Sequence, residues 1–72
     1  MFSDLLQQAR LKAGMTQEEL AGKVHLTREY ISLLERGKRT PTIAVFIRIT
    51  RAVGLSPADL IEQIEKSMPT RK

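Results

Sequence analysis

The 72-residue sequence has no cysteine, no tryptophan, one histidine, two phenylalanines and one tyrosine. Without cysteine neither a disulfide nor a thiolate-bound zinc can staple the chain, and one histidine is too few for a His-only metal site. No metal or other cofactor is implied. A chain this short buries only about 60% of its unfolded surface. Its stability must come from close helix packing, from association, or from both. Lack of cysteine also suits a reducing cytosol. No apolar run reaches the roughly 20 residues that cross a bilayer. The opening MFSDLLQQAR has no basic start followed by an apolar core, so it is not a secretion signal. The expectation is a soluble, cytoplasmic chain with no membrane contact. The sequence also lacks a nucleophile–base set, a carboxylate pair or a phosphate-cradling glycine loop, so it is not expected to be an enzyme.

Acid is missing from one long stretch. Between Arg36 and Arg51 there are five bases, Arg36, Lys38, Arg39, Arg48 and Arg51, and no carboxylate. Between Asp59 and Glu65 there are three acids and no base. The formal net charge is +4, and its distribution suits a molecule that meets a polyanion from one side. Scattered, solvated charge is the plainer alternative.

Glycines and capping residues divide what is present into five short helices, at about 3–13, 17–24, 28–36, 43–53 and 57–66, with a frayed tail at 67–72. Phe2, Leu5, Leu6, Ala9 and Ala13 recur at helical spacing before Gly14. Thr16-Gln17-Glu18-Glu19 is a capping box, followed by Leu20, Ala21 and Val24 on one face. The third helix runs between Thr27 and Gly37, and the fourth between Thr42 and Gly54. Ser56 and Pro57 open the fifth. TIAVFIRITRAV is rich in β-branched residues and is open to reading as a strand. Its Thr cap, its Gly stop and its helical neighbours favour a helix. The apolar arc of that helix spans roughly 220°. It should therefore be wrapped on nearly all sides, at the bundle centre or against another subunit. One domain without repeats or linkers is expected, with KRTP as the longest stretch outside helices.

The second and third helices are joined only by Val24-His25-Leu26 before the Thr27 cap, which is a helix-turn-helix spacing. Small Ala21 allows a close crossing, Leu26 fills the corner, and Ile31 and Leu34 face inward. TQEELAGKVHLTREYISLLERGKRTP resembles the helix-turn-helix of the phage repressor/Cro-like (XRE) family. The likeness extends over about residues 5 to 66. It includes Arg10 with Gly14, the Thr16–Ala21 run, the Ile31–Gly37 run, Pro41 and Ala52-Val53-Gly54. The resemblance implies an all-α, compact five-helix bundle of the lambda-repressor-like type. It departs from many family members at His25, where they carry glycine; histidine tolerates positive φ.

On that resemblance the third helix enters the major groove and its first residues read base edges. Those are Thr27, Arg28 and Glu29, then Ser32 and Leu33 one turn on. Arg28 can bond two guanine acceptors, and Leu33 can lie against a thymine methyl or be a stray surface leucine. Glu29 can accept from cytosine, orient Arg28 or exclude wrong sequences. A solvated Arg28–Glu29 pair without function is the alternative for both. The family's glutamine at the start of the second helix commonly grips the DNA backbone, a role carried to Gln17. Lys38, Arg39 and Thr40 are further phosphate candidates, with Lys23, Arg48 and Arg51 weaker ones. Arg10 and Glu35 match a structural ion pair of the family.

Members usually bind two-fold symmetric sites as dimers. Val45, Ile47, Leu60, Ile61, Ile64 and Met68 offer more apolar surface than a small core needs, so a homodimer through the last two helices is expected. The partners implied are double-stranded DNA and a second copy, with no small-molecule effector. The function implied is sequence-specific transcription regulation by a phage-repressor, restriction–modification-controller or antitoxin type of protein. The alternative is an antitoxin-like or adaptor module whose main partner is another protein.

Overall fold

The computed structural model describes residues 2–67. Five helices follow one another: α1 Phe2–Lys12, α2 Gln17–Val24, α3 Arg28–Glu35, α4 Ile43–Ala52 and α5 Pro57–Ser67. No strand occurs among the described residues, and the TIAVFIRITRAV stretch is helical over Ile43–Ala52. Met68, named above as interface, lies outside them.

Helix starts are set by threonine. The hydroxyls of Thr16, Thr27 and Thr42 accept from the amides of Glu19, Tyr30 and Val45 at 3.0, 3.0 and 3.2 Å. Each satisfies one of the free amides that every helix N-terminus exposes. At Thr16 the box is reciprocal, because the Glu19 carboxylate accepts from the Thr16 amide at 2.8 Å.

Helix stops share one device. After α2 the Leu26 amide donates to Ala21 O at 2.9 Å, and after α3 the Lys38 amide donates to Leu33 O at 2.8 Å. This closure needs a left-handed residue just before the donor. Gly37 fills that place after α3 with φ 73°, and His25 fills it after α2 with φ 60° and ψ 43°. The α2–α3 turn is thereby fixed despite the missing glycine.

The core is built from Leu6 of α1, Leu20, Ala21 and Val24 of α2, Ile31 and Leu34 of α3, and Ile49 of α4 with Val53 just beyond its end. Leu26 packs on it from the turn, and Phe2 meets Phe46 with ring centroids 5.2 Å apart. α3 therefore stands on an apolar floor made mainly by α1 and α2.

Within the single chain α4 is not wrapped on all sides, so of its two expected places contact with another subunit is the one that remains. The helix buries Phe46, Ile49 and Thr50, while Ile43 at its first turn is 71% exposed. It packs mainly on α2 and α5, with Phe46 also meeting Phe2 of α1, and the Ile43 edge is left uncovered in the single chain. Among the described residues no helix is long and apolar enough to cross a membrane.

Candidate nucleic-acid interface

The amphipathic split of α3 decides which side chains a ligand can meet. Ile31 and Leu34 are fully buried and hold the back of the helix. Thr27, Arg28 and Glu29 at its start are exposed, and Ser32 and Leu33 one turn on are half-buried. The Thr27 oxygen is committed to its cap, so that hydroxyl is left to donate outward. These five residues form one edge of the molecule, with a floor beneath that resists displacement.

Gln17 lies beside this edge, at the first position of α2. Its Oε1 accepts from Arg28 Nη1 at 3.4 Å, and its Nε2 donates to Glu35 Oε1 at 3.1 Å. Glu35 and Arg10 meet below it in a two-pronged pair, Nε to Oε2 at 2.6 Å and Nη2 to Oε1 at 3.1 Å. The third nitrogen of Arg10 donates to Met15 O at 2.7 Å. The pair is out of solvent, with side-chain exposures of 8% and 2%. Among the described residues no buried side-chain polar atom lacks a hydrogen-bond partner, so every donor and acceptor of the pair is satisfied.

Lys38, Arg39 and Thr40 are exposed on the loop that leaves α3. The Arg39 guanidinium lies 5.6 Å from the centre of the Tyr30 ring, a cation–π distance that ties the loop to the helix. Arg48 donates to Val24 O, closing the carboxyl end of α2. Lys23 and Arg51 are exposed nearby, with Arg48, around a separate shallow depression. Gln17, Arg28 and the loop thus share the α3 edge, whereas Lys23, Arg48 and Arg51 cluster at the far end of α2.

The proposed interface residues are divided by the fold. Leu60 is only 2% exposed and belongs to the chain's own interior, so it offers no surface to a partner. Val45 is half-buried against the core, and Ile47 is half-buried as well. Ile61 is 48% exposed and Ile64 half-buried. Together with Ile43, Phe2, Pro41 and Phe46 they border an apolar groove of about 330 Å³. Ile43 escaped the sequence reading because its place in the α4 pattern is indistinguishable from a buried one. The Gln17–Glu35 link escaped it because the two residues are 18 apart in the chain.

The helix-turn-helix family model matches residues 6–60. The control protein C.BamHI of Bacillus amyloliquefaciens is 40% identical over 63 residues, spanning 86% of this chain and 78% of that protein. An XRE-family-like protein from Pseudomonas syringae pv. tomato superposes with a TM-score of 0.82 at 33% identity, covering 93% of this chain and 82% of the other. The restriction–modification controller protein C.AhdI of Aeromonas hydrophila superposes with a TM-score of 0.77 at 30% identity, covering 82% and 86%.

Proposed function

This chain belongs to the XRE-type helix-turn-helix family of DNA-binding transcription regulators, and on that premise we propose that it acts as a homodimer reading a two-fold symmetric operator through α3. The observation that carries this reading is the α3 edge itself. Thr27, Arg28 and Glu29 are exposed at the end of a helix whose opposite face is immobilised by Ile31 and Leu34. An α-helix of that shape fits the major groove, and its first turn reaches base edges.

Arg28 is the principal reader, bidentate to guanine. Glu29, Ser32, Leu33 and the Thr27 hydroxyl complete the face. Gln17 on one side and Lys38, Arg39 and Thr40 on the other hold phosphates and set the register. Restriction–modification controllers are among its matched relatives, which supports a controller role.

In vitro selection of the preferred DNA site tests this directly. The expected product is a pair of inverted half-sites with centres about 34 Å apart or a multiple of it. Arg28→Ala should cost about 1–3 kcal/mol and relax preference at one base position in each half-site. An unchanged preference would sink Arg28 as reader.

The adaptor reading retains one supporting observation, the uncovered groove beside Ile43 and Ile61. Salt separates the two. Lys38 and Arg39 from each protomer make four charged phosphate contacts, so log K should fall against log salt with a slope near −3.6, about −0.9 for each. A flat response would favour the adaptor.

A further inference from the structure

The ends of α1, α2 and α4 meet around two adjoining depressions, of about 320 and 430 Å³, which share Lys23 and Ala52. Lys23, Arg48 and Arg51 stand around the first, and no carboxylate lines it. Met15, Ala52 and Val53 give the second an apolar lining.

Lys23 and Arg51 lie in the last turns of α2 and α4, where a cation offsets the helix dipole. That accounts for one charge at each helix end and leaves Arg48 over. Arg48 donates to Val24 O, which holds its guanidinium at the rim with further N–H groups left to donate. Glu19, four residues before Lys23, is the ordinary helical partner for that lysine. Its carboxylate is instead committed to the Thr16 amide at 2.8 Å. Among the described residues neither Lys23 nor Arg51 has an ion pair. Three cations are thus gathered without an acid to neutralise them, and an anionic occupant relieves their mutual repulsion.

The cluster is set apart from the α3 edge. At roughly 1.5 Å of rise per residue, Lys23 lies about 9 Å along α2 from Gln17, and Arg51 about 12 Å along α4 from Ile43. A phosphate needs only cations or amides, whereas here the cations border a shallow apolar floor. Charge and floor together suit a chain that bears carboxylates and apolar side chains in turn.

We propose that this face docks an acidic, leucine-bearing segment of a partner protein while α3 is on DNA. Carboxylates of the segment meet Lys23, Arg48 and Arg51, with the planar Arg48 guanidinium suited to a two-pronged contact. Its apolar side chains cover Met15, Ala52 and Val53. Docking does not depend on α3 being the DNA reader; simultaneous binding does.

The probe is a short fluorescent peptide alternating glutamate and leucine, with lysine–leucine and glutamate–serine peptides of equal length beside it. The glutamate–leucine peptide should bind the wild-type chain, the glutamate–serine peptide more weakly, and the lysine–leucine peptide not at all. Lys23→Gln with Arg51→Gln, both at exposed positions, should weaken the first about fivefold or more. That variant should keep the wild-type circular dichroism and the wild-type affinity for the selected operator. Protein already saturated with operator DNA should take the peptide as tightly as free protein.

Failure of the glutamate–leucine peptide to bind sinks the proposal outright. If operator DNA displaces the peptide, it was held by Lys38 and Arg39 on the DNA edge, and the proposal fails. If the double variant loses operator affinity, the cluster is a phosphate contact, and the proposal fails while the α3 reading stands. Equal binding of the glutamate–serine peptide means that charge alone is recognised, and it overturns the docking of an apolar segment. If wild type associates beyond a dimer and the variant does not, the acidic stretch 59–65 of a second copy is the occupant, and the partner-protein assignment is wrong.

Discussion

Arg10 and Glu35 carry the largest electrostatic stake in the chain. Each is nearly sealed from water and each satisfies the other twice. Such a pair is close to neutral against an apolar replacement, yet costly to halve, because the survivor is a buried unpaired charge. Glu35→Ala should therefore lower unfolding free energy by about 3–5 kcal/mol, measured by urea denaturation. Arg10→Met with Glu35→Leu should recover most of that loss.

At the scale of the element, α2 and its turn are the least optimised part of the motif. Gly22 stands in the middle of α2, exposed, with no atom within 4 Å of where a β-carbon would go. Gly22→Ala should stabilise the fold by about 0.5–1 kcal/mol. His25 holds a left-handed conformation that costs a side-chain-bearing residue about 1–2 kcal/mol. Glycine gives part of that back through its freer unfolded chain, so His25→Gly should stabilise by about 0.5–1 kcal/mol. Thermal melts of both variants check the two values. Helices opened by Thr16, Thr27 and Thr42 were legible in the sequence, because caps act within four residues of chain. The buried face of α3 was legible for the same reason: Ile31 and Leu34 repeat at helical spacing. α4 was not, since a period identifies an apolar face and says nothing about whether a neighbour exists to cover it. Leu60 was misjudged as surface for that reason, since the chain's own interior covers it. The Gln17–Glu35 bond depends on how α2 and α3 meet, and no local pattern announces it.

For the whole molecule the open question is what covers the groove between the α3–α4 loop and α5, and the proposed dimer supplies an answer that can be tested. Ile43 and Ile61 are the exposed apolar residues on its border. A glutamate at 61 costs the free chain little, because that side chain already meets water; surface changes of this kind stay within about 0.5 kcal/mol. In a dimer through this face each protomer would carry a carboxylate into an apolar contact, where it must be desolvated without a partner. Ile61→Glu should then sediment as a monomer at concentrations where wild type is dimeric. Its affinity for a full two-fold site should fall about a hundredfold or more, since the second half-site no longer benefits from tethering. Affinity for a single half-site should be unchanged, because α3 is untouched. Gln63→Glu is the matched control: the same added charge on the same helix, at an exposed position beside Leu5 and Gln8 and away from this groove. If Gln63→Glu disrupts the dimer and Ile61→Glu does not, association runs through the other side of α5. If both variants stay dimeric, these two faces of α5 do not form the contact.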